Sequence, residues 1–250
     1  MRGVLTPFVE SFETGLPLEP SPDRKTPKEE VHLNYALKPR DVEASLAVSE
    51  TLAVPRSEKK PAPTHNYPWP PINYPAEVVT RDNAEVEQQR LKDHQRATEA
   101  IARITALGNG SSKDRMRVNI TRCISTFGRH NTDAIFPPRA PPLAHPGSTT
   151  PHVIRPETNI EAAKKRVGPD TGSSEVQIAI LTAKIKTLAD FLATRGKGDK
   201  HNKRNLRLLV HRRQKLLKYL RRKERGGPRW QHCIEMLGLT EGTWNQEISL

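Results

Sequence analysis

Apolar residues recur at three- and four-residue steps in two segments of the C-terminal part of the chain. The first set comprises Val176, Ile180, Leu181, Ile185, Leu188 and Leu192. The second set comprises Leu206, Leu209, Val210, Leu216, Leu217 and Leu220. This spacing predicts two amphipathic helices, at 176–192 and about 200–224, separated by a glycine-containing basic loop. Ser174 and Gln177 have the spacing of a capping box at the start of the first helix.

Shorter helices are predicted on both sides of this pair, at about 158–166 and 229–237. The predicted fold class is therefore all-α, with a compact four-helix domain over residues 151–250. Residues 1–150 contain 18 of the 22 prolines and should form a Pro-rich extended arm with helices near 82–107 and 113–127. Within this arm, the run from Tyr67 to Pro75 should be extended, because proline lacks a backbone donor and restricts its neighbours.

Positive charge is concentrated on the second long helix and its flanks. Between Arg195 and Arg229 the chain has 15 Lys or Arg and two acids, a net charge of +13 that equals the formal charge of the whole chain. One side of the helix, here called the cationic face, consists of Arg204, Arg207, His211, Lys215, Lys218 and Arg222. Like charges along one face repel each other, so the cationic face indicates a polyanionic partner such as nucleic acid. The alternative for any single basic residue is a solvated surface.

Two residues of the same helix add to this picture. Tyr219 lies at the margin of the cationic face, where it is placed to stack on nucleic-acid bases. Arg213 falls within the apolar face, and the pattern offers no reason for a charge there.

Other function classes find little support in the sequence. No run of 18 apolar residues is present, so no membrane-spanning helix is expected. Cys123 and Cys233 are too few for a disulfide framework, and His232 is adjacent to Cys233, so the two cannot form a spaced zinc-ligand pair. Gly108 to Lys113 lacks the spacing of a phosphate-binding loop. We therefore expect no enzyme activity, no metal and no cofactor.

Four blocks of sequence resemble a known family. They are DTGSSEVQIAILT at 170–182, HNKR at 201–204, RRQKLLKYL at 212–220 and IEMLGL at 234–239. In order and nearly in spacing, they are similar to the bacterial-type small-subunit ribosomal protein fifteen over about residues 157–240. The resemblance implies a four-helix protein that binds a three-way junction and an adjoining helix in the central domain of small-subunit rRNA. It also implies support of subunit assembly and part of a bridge to the large subunit.

The resemblance further implies which residues contact rRNA. Junction contacts would fall on Thr171, Gly172, Gln177, Tyr219 and Arg222, with Lys184 at a position that is often polar or basic. In the region that contacts the minor groove, Asp199 matches the family, Asn202 replaces a serine and Phe191 replaces a histidine. With the basic loop and the cationic face, the predicted rRNA-binding residues are Thr171, Gly172, Gln177, Lys184, Asp199, His201, Asn202, Lys203, Arg204, Arg207, His211, Lys215, Lys218, Tyr219 and Arg222.

The implied partners are small-subunit rRNA, neighbouring small-subunit ribosomal proteins and large-subunit rRNA at an inter-subunit bridge, with no membrane. The long Pro-rich arm resembles the extensions of mitochondrial ribosomal proteins, so we expect a mitochondrial ribosome in the matrix. A chloroplast or unusual bacterial origin is the alternative. The first 23 residues lack the Arg-rich, acid-poor composition of a transit peptide, so either that segment has been removed or is missing, or the protein is not imported in that way. The alternative function is a freestanding RNA-binding or mRNA-regulating protein.

Overall fold

The computed structural model describes residues 3–18, 30–52, 83–141, 145–147, 149 and 154–245. In these ranges the regular elements are all helical, which confirms the predicted fold class. The α-helices are α1 (Pro7–Glu10), α2 (Pro39–Leu52), α3 (Asn83–Thr105), α4 (Ser112–Phe127), α5 (Arg129–Thr132), α6 (Ile160–Lys165), α7 (Ser174–Thr194), α8 (Lys200–Glu224) and α9 (Pro228–Leu237). Single 3-10 turns lie at Asn34–Ala36, Leu107–Asn109 and Glu241–Thr243.

The run from Tyr67 to Pro75, predicted to be extended, lies outside the described residues. No described helix combines the length and the apolar character that crossing a bilayer requires.

Local signals explain where α8 begins and ends. Asp199 precedes the helix, and its Oδ1 accepts a hydrogen bond from the backbone N–H of Asn202 at 3.0 Å. A carboxylate at this position satisfies a free N–H group and suits the positive end of the helix dipole. At the other end, Arg225 and Gly226 both have left-handed backbone conformations, with φ of 51° and 73°. Pro228 then begins α9, where its missing N–H is not needed.

The start of α7 differs from the prediction. Ser173 is the N-cap and Ser174 is already helical, so the predicted capping box between Ser174 and Gln177 is wrong. Asp170 takes over the role of the capping side chain, because its Oδ1 accepts hydrogen bonds from the N–H groups of Gly172 and Ser173, both at 3.1 Å. The Gln177 amide instead donates to the Gly172 carbonyl at 3.4 Å. A carboxylate is the stronger acceptor, and it closes the turn before the helix begins.

Helix α7 lies at the centre of the fold and packs against α4, α8 and α9. The sequence pattern predicted a single buried stripe, but the first half of α7 is buried on more than one side, with Ile178, Ala179 and Ala183 fully buried. Ile180 of the predicted stripe is only half-buried. Three neighbouring helices explain the difference, since each of them covers a different side of α7.

The hydrophobic core includes residues from both sides of the predicted boundary at residue 150. Phe8 and Phe12, near the start of the chain, are 1% and 2% exposed, and Phe8 contacts Phe127 of α4 in an edge-to-face arrangement. Buried polar contacts hold the same segment in place. The Asn119 amide of α4 donates to the Phe12 carbonyl at 2.8 Å, and the ammonium of Lys186 in α7 donates to the Val9 carbonyl at 3.0 Å. The first turns of the chain therefore belong to the same core as α7 and α9.

Candidate nucleic-acid-binding surface

The cationic face of α8 is accessible to solvent. Arg204, Arg207, Lys215, Lys218 and Arg222 are exposed, and His211 is half-exposed. Within the described residues none of the five exposed cations forms an ion pair. Leu217 and Leu220 on the opposite side are fully buried, so the core holds the orientation of the helix. The structure thus presents a rigid row of uncompensated positive charge.

The loop before α8 places two predicted contact residues against each other. Both carboxylate oxygens of Asp199 accept from Asn202, Oδ1 from its backbone N–H and Oδ2 from its side-chain amide at 2.6 Å. The backbone hydrogen bond from Asn202 is the largest cause of the lowered pKa of Asp199. His201 and Lys203 beside them are exposed. Asp199 and Asn202 therefore hold the start of α8, while their neighbours face solvent.

Phe191 lies at the other end of the same loop and is 42% exposed. Its ring packs over Gly196, since a Cβ at that glycine would lie 2.6 Å from the ring. The loop between α7 and α8 is therefore closed by an aromatic contact at the position where the resemblance implies a histidine.

The predicted junction residues Thr171 and Gly172 occupy the exposed turn before α7. The N–H of Gly172 is occupied by Asp170 and is not free to bind a ligand. Partial burial acts to raise the pKa of Asp170, but the hydrogen bonds from the N–H groups of Arg129, Gly172 and Ser173 lower it overall. The turn is therefore held closed by an ionised carboxylate at neutral pH.

A groove of about 340 Å³, here called the junction groove, brings this turn together with α8. Gly172 and Gln177 line one side, and Tyr219 and Lys223 line the other. The ammonium of Lys223 lies 5.4 Å from the centre of the Tyr219 ring, in a cation–π contact. Three of the five predicted junction residues thus meet in one groove.

The remaining predicted contacts lie around this groove. Thr171 is exposed on the same turn, and Lys184 is exposed on α7 two helical turns beyond Gln177. Arg222 does not line the junction groove but lines a separate cleft on another side of α8.

Two arginines that the sequence did not indicate also line the junction groove. The backbone N–H of Arg129 donates to Oδ2 of Asp170 at 3.2 Å, and its guanidinium pairs with Glu175 at 3.3 Å. Burial favours the neutral form of Arg129, but the charge and hydrogen bond of the Glu175 carboxylate, together with the charges of Glu224 and Asp133, raise its pKa overall. Arg166 pairs with the buried Asp133 at 3.0 Å. No local pattern could indicate Arg129, because it belongs to α5 and reaches the turn only in the folded chain.

Residues 157–240 match the family model described as Ribosomal protein S15. Over 267 aligned positions the chain is 38% identical to the small ribosomal subunit protein uS15m of Neurospora crassa, covering all of this chain and 74% of the relative. The chain belongs to the ribosomal protein S15 family. The S15 segment, residues 157–240, contains α6 to α9, the turn before α7 and the whole cationic face.

Two further S15 relatives match shorter stretches. The small ribosomal subunit protein uS15 of Halorhodospira halophila is 48% identical over 75 residues, which cover 30% of this chain and 81% of that protein. The small ribosomal subunit protein uS15m of Schizosaccharomyces pombe is 45% identical over 80 residues, which cover 32% of this chain and 27% of that protein. The Neurospora alignment spans α1 to α5 as well, so the similarity to that relative includes the N-terminal part of the core.

Proposed function

We propose that this chain is a structural constituent of the small subunit of a mitochondrial ribosome, where it binds a branched segment of small-subunit rRNA. Its S15 relatives bear the name small ribosomal subunit protein, and the two fungal relatives have the suffix m of mitochondrial members. The observation that carries the RNA-binding part of the proposal is the cationic face, a rigid and exposed row of charge without acidic partners among the described residues. Phosphates neutralise such a row, and the release of their counterions favours the complex.

The junction groove is the proposed site for the branch point of the RNA. Tyr219 is 43% exposed and offers part of its ring for stacking, while the Gln177 amide and the Thr171 hydroxyl are suited to hydrogen bonds with sugar or base edges. Gly172 has no side chain, and a Cβ there would meet no protein atom within 4 Å. The space beside this glycine is therefore open to an approaching RNA backbone. Arg222 on the adjoining side would contact phosphate. In this division of roles, cations provide affinity and the other groups provide geometry.

A second contact region is proposed at the loop before α8, together with Lys184. His201 and Lys203 are exposed there and suit phosphate oxygens. Asp199 repels phosphate, so its role toward RNA would be to accept a hydrogen bond from a ribose hydroxyl in the minor groove of an adjoining helix. The side-chain amide of the neighbouring Asn202 would also hydrogen-bond to a ribose hydroxyl. Contacts with neighbouring small-subunit proteins and with large-subunit rRNA at a bridge rest on the family resemblance.

The function proposed is structural, and none of its steps needs a catalytic residue, a metal or a cofactor. The test uses the full-length chain and measures its affinity for a three-way-junction RNA, a plain duplex and a random oligonucleotide at several salt concentrations. Wild-type protein should prefer the junction. Tyr219→Ala or Arg222→Ala should weaken that binding by about 1–3 kcal/mol, the range for one stacking or bidentate contact. Arg103→Ala is the matched control, because Arg103 is exposed on α3 and its ion pair among the described residues is the local one with Glu99.

Equal affinity of the wild type for the junction and the random oligonucleotide would refute the proposal. A freestanding mRNA-binding protein is distinguished by sedimentation. Co-sedimentation with ribosomal small subunits at high salt supports the ribosomal role, whereas migration with free mRNA alone supports the rival.

A further inference from the structure

A second basic cleft, here called the terminal cleft, lies at the C-terminal end of α8. It has a volume of about 580 Å³ and is lined by Lys218, Arg221, Arg222, Arg225, Gly226, Trp244 and Asn245. At about 100° per residue, its α8 residues point roughly 140° away from Leu216, Tyr219 and Lys223, which line the junction groove. The two sites therefore lie on different sides of one helix, and Arg222, about 60° from Tyr219 around the helix axis, stands between them.

The positive charge of the terminal cleft favours an anionic ligand. Four of its lining residues are cationic, and the described residues that line it include no acid. The guanidinium of Arg221 donates to Oδ1 of Asn245 at 3.2 Å, and that of Arg225 donates to the Pro141 carbonyl at 3.2 Å. Both acceptors are neutral, so they orient the guanidinium groups without cancelling their charge. A concave surface of one sign concentrates counterions of the opposite sign.

The backbone conformation of Arg225 also indicates a function for its side chain. Arg225 is the C-cap residue of α8 and has φ of 51° and ψ of 40°, in the left-handed region. Glycine is the usual residue at such a helix end, because a Cβ is disfavoured in this conformation. An arginine in this conformation points to a role for the guanidinium outside the helix.

The opposite wall of the cleft is fixed and lies beyond the S15 segment. Trp244 packs edge-to-face on Trp230 with ring centres 5.1 Å apart. Its buried indole Nε1 has no hydrogen-bond partner within the described part of the chain. The Trp244 carbonyl accepts from the Gln214 amide of α8 at 3.5 Å. Because residues 241–245 follow the S15 segment, the cleft joins a family helix to a wall that the family model does not cover.

We propose that the terminal cleft binds the phosphate backbone of a second RNA segment, so that the chain joins two segments of RNA across the end of α8. The inference rests on the proposed function, since the second segment would belong to the same rRNA. RNA is favoured over an acidic protein segment because the cleft is continuous with the cationic face through Lys218 and Arg222. Phosphates spaced along a strand match cations spaced along a helix better than one isolated carboxylate would.

The decisive variant is Arg225→Gly in the full-length chain. Glycine suits the left-handed backbone, so the melting temperature should stay the same or rise while the guanidinium is lost. Affinity for a three-way-junction RNA with one extended arm should fall about three- to tenfold at physiological salt, and the slope of log K against log salt should fall by about one. Arg221→Gln, with its exposed side chain, should reproduce the loss, and Arg103→Ala should leave both quantities unchanged.

The outcomes separate this inference from the proposed function. If the wild type prefers the junction RNA while Arg225→Gly and Arg221→Gln keep wild-type affinity and salt slope, the terminal cleft does not bind RNA and only the inference fails. If these two variants keep wild-type RNA affinity but lose binding of an acidic peptide, the cleft belongs to a protein partner, and the inference is overturned. A lower melting temperature in Arg225→Gly, with unchanged salt slope, shows a packing role and overturns it. If the wild type itself shows no junction preference, the proposed function fails and the inference fails with it.

Discussion

The backbone N–H of Arg129 donates a hydrogen bond to Oδ2 of Asp170 at 3.2 Å. Arg129 lies in α5, before the S15 segment, and Asp170 opens the turn that presents Thr171 and Gly172. The guanidinium of Arg129 also pairs with Glu175 in the first turn of α7. One residue of the N-terminal part therefore holds both ends of the turn, and through the turn it determines the shape of the junction groove.

Asp170→Ala is expected to destabilise the protein in a pH-dependent way. The Asp170 carboxylate accepts three N–H groups in the folded state, and their loss should lower the free energy of unfolding by about 1–2 kcal/mol at neutral pH. The pKa of Asp170 is lower in the folded than in the unfolded chain, where it is about 3.9. Its contribution is therefore complete above that value and is lost as the pH falls through the lower folded pKa.

The measurement for Asp170→Ala is urea denaturation of wild type and variant between neutral and strongly acidic pH. The difference in stability should shrink in acid. Asp93→Ala on the exposed side of α3 is the control and should show little difference at any pH. A difference that stays constant down to the lowest pH would contradict the role of the ionised carboxylate.

Gly172→Ala separates RNA contact from folding. The φ of Gly172 is not in the left-handed region, and a Cβ there meets no atom within 4 Å, so the free energy of unfolding should change by less than about 0.5 kcal/mol. The added methyl group would enter the space proposed for the RNA backbone, so affinity for the junction RNA should fall. Gly108→Ala is the matched control, since its Cβ also meets nothing and it lies outside the junction groove. Equal RNA affinity in the two variants would remove Gly172 from the proposed contacts.

Phe12→Ala should unfold the protein more easily although Phe12 lies far from the S15 segment in sequence. The side chain is 2% exposed and contacts Phe8 edge-to-face, so its loss leaves a cavity. We expect the free energy of unfolding to fall by about 3–5 kcal/mol in chemical denaturation. Leu52→Ala is the control, because Leu52 is 78% exposed and its truncation removes little packing. If Phe12→Ala lowered the free energy of unfolding by less than Leu52→Ala does, the inclusion of residues 3–18 in the core would be contradicted.

Arg213→Met should leave stability unchanged or raise it. Arg213 is buried, and burial lowers its pKa to about 10. Its Nη1 donates to the Thr182 hydroxyl at 3.3 Å, while its Nε has no partner among the described residues. An apolar side chain of similar size removes the cost of burying the charge. The melting temperature and the salt slope of RNA binding report on the change.

Arg213→Ala is the companion variant. It removes the same charge but leaves a cavity, so its melting temperature should fall below that of Arg213→Met. A strongly destabilised Arg213→Met would show that the guanidinium makes a stabilising contact in the core.

Local patterns predicted the long helices α3, α4, α7 and α8, but not the 14-residue helix α2. The predicted range 200–224 coincides with α8 because apolar spacing, a preceding Asp199 and the following glycines are all local signals. The ranges 82–107 and 113–127 lie within two residues of α3 and α4, because helix-forming residues and the break at 108–112 are local signals too. The cationic face could also be predicted from the sequence, since the positions of charges around a helix follow from their spacing.

Burial was less predictable than helix position. The pattern of α4 did not indicate that Asn119 and Arg122 are almost fully buried. Their partners are the Phe12 carbonyl and the Ser11 hydroxyl, more than a hundred residues earlier in the chain. From the sequence, a polar residue on a helix is predicted to be exposed unless its hydrogen-bond partner is known. When that partner is distant in the chain, no local pattern predicts the buried pair.

The sequence by itself determined most of the long helices, the concentration of charge on α8 and the family resemblance, because each depends on residues close together in the chain. Only the tertiary structure decided that residues 3–18 complete the core, that Arg129 closes the turn at Asp170 and that the junction groove and the terminal cleft lie on different sides of α8. Those features arise where segments distant in sequence meet, and their free energy comes from contacts that exist only after the chain has folded.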